Sequence, residues 1–558
     1  MPQPITAATA PQSTSERLVS SVNLARVRNA ILLVVSVAVL LQLIIFFSTD
    51  NLAASAMLLC GAFIGLFYSL NRPFLTEYPL STLAILGYTI SYFIIAPLGQ
   101  LLDFHSVLHN LTHHILVWAY GLTGMLALVV AHYVYRVFSP YARARWSLAN
   151  FVYRPLHFFE MPDPLQFWLM GFMGVAATLG NLQLTHGGET TTVSSIMRVF
   201  QPLIYTPYFM AFPNLLDPRY QPRLRPIRLG LVVYSILVIA VSFMANSRSY
   251  LFTGFASLVL VYGYRVLTGT ISPPRLTFRS FVILLACAWI VTGPFTNMAA
   301  SMVVVRKMRG SVSPRELARE TWSVYRSGIA VKAIEAGASR SFHRYDETYY
   351  NNIFLDRIGN VRFTDISINA ANGVASLGDL SYFRKIERDR VIAILPEPFL
   401  RALHLRLDKR EVLGGSSEDY LYHLATGNPA TGFREGFGLV ILNATLGMMW
   451  PLYVVLMSTV LFVVLDARCD LTADADNRGQ QTAQYTAFNP IIAGALFSYA
   501  TIVTVFGLQD VASYLGVFTR GVIEVALVYA VAFILTKAVS SLVLGWALRA
   551  EDVPQRGA

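Results

Sequence analysis

Long apolar runs separated by short polar connections dominate the chain. They fall near residues 30–48, 52–70, 80–99, 113–136, 165–181, 198–216, 228–246, 249–266, 279–304, 437–465, 489–508 and 519–547. A helix needs roughly 20 mainly apolar residues to cross a bilayer, because its backbone polar groups must be satisfied within the segment. The pattern therefore predicts an all-α fold, a polytopic transmembrane bundle of about 12 spans. One large polar loop interrupts it between spans nine and ten. The resulting division is a polar tail over 1–28, nine spans over 29–304, the loop over 305–436, three spans over 437–548 and a second tail over 549–558.

Within the loop, 314–336 has helix-forming composition, with Ser313 as N-cap and Glu316 three residues on, a capping-box pattern. After the Pro396-Glu397-Pro398 break, Phe399, Leu403 and Leu407 recur every fourth residue. That spacing predicts an amphipathic segment lying on the membrane surface. Stretches rich in Gly, Asn and Ser, 369–378 and 414–417, read as turns. The loop is thus expected to be mainly helical.

Charged residues make up only 13% of the chain, as in a bilayer protein. The first apolar run lacks a small-residue cleavage site and reads as a retained span. Of the three cysteines, Cys60 and Cys287 lie in apolar runs and Cys469 in a polar loop, so neither a disulfide framework nor a thiolate metal site is suggested. The net charge of +11 does not call for nucleic acid, because its arginines concentrate in alternate short loops. One set holds Arg26, Arg28, Arg72, Arg143, Arg145, Arg154, Arg219, Arg223, Arg265, Arg275, Arg468, Arg478 and Arg549. The other set is nearly bare. Positive charge favours the cytoplasmic side, which predicts both termini in the cytoplasm and the large loop on the far side.

The exception in the bare set is Arg248, in the short connection Asn246-Ser247-Arg248-Ser249. A guanidinium at the outer boundary is either a snorkelling contact to lipid phosphate or a functional group whose planar fork suits a phosphate or pyrophosphate. Arg198 and Arg520, at span ends, carry the same two readings. A second constellation lies in the loop: Arg340, His343, Arg344, Asp346 and Glu347, then Asp356, Arg357, Arg362 and Asp365. Arginines among carboxylates can bind a charged head group and take a proton from a sugar hydroxyl, or simply form surface ion pairs. A third is Asp103, His105, His109, His113 and His114, whose four-residue spacing would stack histidines on one helical face and could hold a divalent metal. No HExxH, paired-cysteine or calcium-loop motif supports a metal, and none is assigned. Asp474 and Asp476 read as solvated linker, and no Gly-rich phosphate loop supports an ATP-driven pump.

These residues resemble a known family, the O-antigen and exopolysaccharide polymerases of the Wzy type, related to O-antigen ligases. The resemblance rests on the many spans with one large late loop, on Arg248 in Ala-Asn-Ser-Arg-Ser-Tyr-Leu-Phe, and on the loop exit Thr431-Gly-Phe-Arg434-Glu435-Gly436-Phe-Gly438 followed by Leu446-Gly447. It implies a multi-pass protein of the bacterial inner membrane that polymerises lipid-linked repeat units at the periplasmic face, a polyprenyl-pyrophosphate-dependent glycosyltransferase. It implies no cofactor, nucleotide sugar or metal. Its partners would be undecaprenyl-pyrophosphate-linked glycans and membrane lipids, with a chain-length regulator and a flippase alongside. By the same resemblance Arg248, Arg344, Arg357 and Arg362 would bind pyrophosphate, and His343, Asp346, Glu347 and Asp365 are base candidates. A low-pKa leaving group needs charge stabilisation rather than protonation, whereas the attacking hydroxyl needs a base. Ligases of this superfamily show His followed by a small polar residue before the loop exit. Here His423 precedes Leu424, which favours the polymerase. The alternatives are glycan ligation to a lipid acceptor and a transporter or flippase, for which Glu524 and Lys537 are the clearest ionisable span residues.

Overall fold

The computed structural model describes residues 23–184, 192–212, 215–216, 227–245, 248–271, 277–305, 308, 312–328, 348–350, 352, 355–378, 380–395, 397–428, 436–475, 481–494, 510–516, 518 and 522–551. Among them, seven helices are long and apolar enough to cross a membrane: Leu24–Ile45, Thr49–Ser69, Pro79–Leu102, His114–Val137, Pro164–Leu184, Gly438–Asp466 and Ile523–Val543. Their outward faces are greasy. Leu33, Leu40 and Ile44 of the first helix and Phe63 of the second are exposed, while polar Gln42, Asn51 and Ser55 are buried. A water-soluble bundle would show the reverse, so this is a membrane-embedded helical protein.

The first turn is closed by side chains. Ser48 Oγ accepts from Asn51 N at 3.0 Å, and Asn51 Nδ2 donates to the Phe46 carbonyl at 2.8 Å, satisfying backbone groups at both helix ends. At the opposite end of the bundle, Asp466 is fully buried and caps another span. It accepts from Leu80 N at 2.9 Å, Ser81 N at 3.1 Å and Ser81 Oγ at 2.5 Å. Ser81 Oγ also meets His132 Nε2 at 3.0 Å, and His132 Nδ1 meets Tyr68 OH at 2.9 Å. One polar chain therefore ties four helices together where lipid offers no alternative partners.

Several expected spans are not simple helices. Residues 198–216 were expected to form one; instead the end of helix Thr192–Phe200 runs into a 3₁₀ segment, Gln201–Ala211. Pro202 and Pro207 lack the N–H that an α-helix needs, which explains the tighter winding. The ninth is broken by a π turn at Val291–Phe295 that contains Pro294, and the third by a π turn at Thr89–Ile94. The seventh and eighth have apolar stretches, Leu229–Met244 and Ala256–Thr268, shorter than a full span. Only Pro490–Gly494 of the eleventh lies within the described residues. The tenth divides into Gly438–Leu446 and Trp450–Asp466 at Gly447, whose φ of 61° and ψ of −143° belong to a region open essentially to glycine. Met448 beside it is 91% exposed.

Among the described residues, one two-stranded sheet interrupts the helices. Cys469–Ala475 and Gln481–Phe488 form an antiparallel ribbon, so Asp474 sits in a strand rather than a linker; Asp476 lies outside the described residues. Phe488 N donates to the Leu216 carbonyl at 3.0 Å. Arg265 is 1% exposed, its Nε and Nη2 donating to the carbonyls of Leu215 and Leu216 at 2.9 and 2.7 Å.

Within the loop, helix Pro314–Ser327 starts on the expected capping box of Ser313 and Glu316 and ends at Gly328 with φ 65°. The segment after Pro398 departs from expectation. Its helix, Glu397–Ala402, stops before His404, which adopts φ 54°, so Leu407 does not continue the face of Phe399 and Leu403. The predicted turn at 369–378 is instead mostly helix, the C-terminal half of Val361–Ser376. Its buried Ile366, Ile368, Ala370 and Val374 outweigh the local turn propensity.

Candidate functional site

The loop meets the bundle through helix Val361–Ser376, which packs on the start of helix His114–Val137. Its buried Val361, Phe363 and Ile368 hold it against the core of the spans, while Val374 packs with Phe383 and Leu421. Tyr92 reaches up from the third span, its OH donating to the Val117 carbonyl at 2.6 Å and lying 3.1 Å from Thr364 Oγ1.

At this junction Asp365 is fully buried. Its Oδ1 accepts from Thr112 N at 3.0 Å and His113 N at 2.8 Å, and its Oδ2 accepts from Arg362 Nη1 at 2.7 Å. Two orphan amides at a helix start and a guanidinium occupy the carboxylate, the arrangement that stabilises a negative charge at a helix N-terminus. Arg362 also donates through Nη1 to the Asn110 carbonyl. Asn369 completes the clasp, its Oδ1 lying 3.0 Å from His113 Nε2 and its Nδ2 donating to Thr112 Oγ1 at 3.1 Å. With its lone pairs engaged, Asp365 is arranged as a clasp between loop and span rather than as a free base.

The histidine cluster does not form the expected helical face. Residues 103–113 are turns, with φ 54° at Phe104 and 57° at Asn110, and the helix begins only at His114. His105 and His109 stack with ring centres 3.8 Å apart, His113 turns to Asn369, and His114 Nδ1 lies 2.9 Å from Asp50 Oδ2. Among the described residues, no three His, Cys, Asp or Glu side chains converge on a point. The segment is instead pinned to the loop: Gln100 Nε2 donates to the Tyr349 carbonyl at 2.5 Å, Tyr349 OH to the Val107 carbonyl at 2.6 Å, and Asn110 Nδ2 to the Thr348 carbonyl at 2.6 Å. Asp356 Oδ1 in turn accepts from Tyr349 N and Tyr350 N at 2.9 and 2.8 Å.

Beside the clasp, helices Val361–Ser376, Leu380–Ala393 and Gly438–Leu446 enclose with Tyr120 a cleft of about 140 Å³. Its apolar wall includes Ile368, Leu380 and Val440, and its polar groups are Tyr120, Asn372, Asn443 and Arg384. The Tyr120 ring stacks on Trp450 at 5.8 Å, and its hydroxyl accepts from Asn443 Nδ2. Arg384 Nε donates to the Ala444 carbonyl at 3.1 Å, which anchors the guanidinium at the cleft. Its terminal nitrogens make no hydrogen bond among the described residues, so they remain donors for a ligand. A mainly polar cleft with an arginine at its wall suits an anionic group.

The residues singled out from sequence divide accordingly. Arg362 and Asp365 come together. Arg248 is the first residue of helix Arg248–Thr268 and Arg357 lies in Leu355–Ile358, but their side chains, like His343, Arg344, Asp346, Glu347 and the loop exit at 431–435, lie outside the described residues. Arg384 escaped sequence reading because one arginine in a helix rich in Arg, Lys, Glu and Asp looks like solvated surface, and the residue is indeed exposed at the mouth of the cleft. The usable signal was its register, one turn from Leu380 on the face that meets Asn443 and Ala444. Comparison of the chain with protein-family models, with curated proteins and with solved structures finds no match.

Proposed function

We propose that the protein polymerises lipid-linked oligosaccharide repeat units into a surface polysaccharide, transferring the growing glycan from undecaprenyl pyrophosphate at the periplasmic face of the bacterial inner membrane. The observation that carries this reading is the cleft under the loop, with Arg384 held at its wall. A polyprenyl-linked substrate needs a cationic fork for its phosphates close to apolar surface, and Arg384 beside Ile368, Leu380 and Val440 supports that reading. Arg248, at the head of a helix in an otherwise cation-poor connection, is a second candidate for the pyrophosphate. The leaving pyrophosphate is stabilised by arginine without protonation. A base from His343, Asp346 or Glu347 takes the acceptor proton. Asp365 holds helix Val361–Ser376 of the loop on the start of helix His114–Val137.

Deleting the protein should leave cells with single lipid-linked repeat units and without long polymer, read on a gel of the surface polysaccharide. Unchanged chain length overturns the proposal, and accumulation of long polymer on its carrier lipid would assign ligation instead. Arg248→Lys and Arg384→Gln, each expressed in the deletion strain, should restore little polymer, because a lysine point charge does not replace a bidentate fork.

A further inference from the structure

One turn beyond Arg384, helix Leu380–Ala393 carries a buried charge cluster unlike a surface ion pair. Arg390 Nη2 donates to Asp510 Oδ2 at 3.0 Å, and Ser417 Oγ donates to the same oxygen at 2.6 Å. Asp510 Oδ1 accepts from Ser513 N at 2.5 Å, at the head of helix Val511–Gly516. Arg390 Nη1 donates to the carbonyls of Val412 and Gly415 at 3.1 and 2.7 Å. The guanidinium thus fastens the cleft helix to two other segments, 412–415 and the head of helix Val511–Gly516. Glu387 sits beside it at 1% exposure, with Oε1 3.5 Å from Arg390 Nε and the Ser417 hydroxyl as a further polar neighbour. Burial, then the neighbouring Asp510 carboxylate, push Glu387 up to about 7. Around Glu387, helix Ser417–Thr426 presents Ser417 and Tyr420, the latter with its ring 5.8 Å from the Arg390 guanidinium. Glu418 of that helix turns to Ser367 instead, and helix Gly438–Leu446 contains no ionisable residue.

We propose that Glu387, Arg390 and Asp510 form a clamp that positions Arg384 in the cleft, and that proton uptake by Glu387 tightens anion binding there. This rests on the cleft as an anion site, not on polymerisation. With Glu387 protonated, one guanidinium faces one carboxylate and the clamp is charge-balanced. With it ionised, two buried carboxylates share one cation. The surplus negative charge lies one helical turn from Arg384, so it opposes an anion at the cleft through space rather than by contact with the guanidinium. The Glu387 carboxylate binds its proton more tightly in the folded protein than in the unfolded chain. Its contribution is therefore full below the ordinary carboxylate range and is lost as pH rises through about 7.

The test is binding of farnesyl diphosphate, a short prenyl pyrophosphate, to the full chain in detergent micelles, by calorimetry from pH 5.5 to 8.5. Dividing wild-type affinity by that of Glu387→Gln cancels titration of the diphosphate itself. The expected ratio falls roughly threefold to tenfold as pH rises through neutrality. Asp510→Asn should move the fall to lower pH, because Glu387 then has Arg390 to itself. Arg384→Gln should abolish the pH-dependent part. A ratio that stays flat, an Asp510→Asn profile superimposable on wild type, or an Arg384→Gln protein that binds as wild type overturns the clamp. Absence of binding to wild type at every pH overturns the anion site as well. Loss of the polymerase reading alone leaves the expected binding profile intact.

Discussion

Replacing Asp365 with Asn tests whether the loop is clasped to the spans as described. The asparagine can keep an oxygen on Thr112 N and His113 N, but its amide then points N–H groups at Arg362 Nη1, donor against donor, where Asp365 accepts at 2.7 Å. Removing one partner of a buried pair costs about 3–5 kcal/mol. Arg362 is 12% exposed and keeps the Asn110 carbonyl, which puts the loss at the lower end, about 3 kcal/mol. The opening of the clasp governs exchange in peptides covering Thr112 and His113, whose amides donate to Asp365. At 1.4 kcal/mol per factor of ten, hydrogen–deuterium exchange followed by mass spectrometry should show those peptides exchanging about 100-fold faster. Peptides of helix Trp450–Asp466, remote from the clasp, should be unchanged. If the peptides covering Thr112 and His113 exchange within threefold of wild type, the clasp does not hold the loop.

Three further substitutions test the packing that positions the site. Gly121→Ala puts a methyl into the Tyr92 ring, whose hydroxyl bonds Val117, and should lower stability by about 1–3 kcal/mol, read as a fall in the thermal midpoint in detergent. Gly447→Ala forces φ 61° and ψ −143° on a residue with a Cβ and should cost about 1–3 kcal/mol by the same assay; an unchanged midpoint would show that the break in the tenth span is relaxed. Asp466→Ala strips the acceptor from Leu80 N, Ser81 N and Ser81 Oγ and should cost about 3 kcal/mol or more, whereas a neutral outcome would mean that water reaches this end of the bundle.

Length and polarity made the membrane helices legible. An apolar run of span length has one stable solution in lipid, so the first five runs, the tenth and the twelfth became helices near their expected bounds. What hydropathy could not give was backbone irregularity inside the runs. Residues 198–216 score as a span, yet Pro202 and Pro207 make a 3₁₀ segment of them. The capping box at Ser313 was readable because two side chains three residues apart satisfy each other locally. By contrast, the histidines at 105, 109 and 113 suggested a helical face only on the assumption that the helix started early, and tertiary contacts to Tyr349 and Asp365 hold that segment in turns. Arg265 read as an orienting charge and is a buried anchor for the carbonyls of Leu215 and Leu216. Of the candidate site, the Arg362–Asp365 pair was visible as an i,i+3 neighbour pair. The clamp at Glu387, Arg390 and Asp510 was not, because Asp510 lies 120 residues away in the chain and only folding brings it to Arg390.

The proposed transfer between lipid-linked substrates is measured directly by reconstitution. Purified protein in liposomes, supplied with undecaprenyl-pyrophosphate-linked repeat units and with neither nucleotide sugar nor divalent metal, should produce a ladder of multiples of the repeat and release undecaprenyl pyrophosphate in proportion. Arg384→Gln should leave the single units unreacted. A folded wild-type protein that leaves the single units intact, or a ladder that forms equally well with Arg384→Gln, would contradict the proposal.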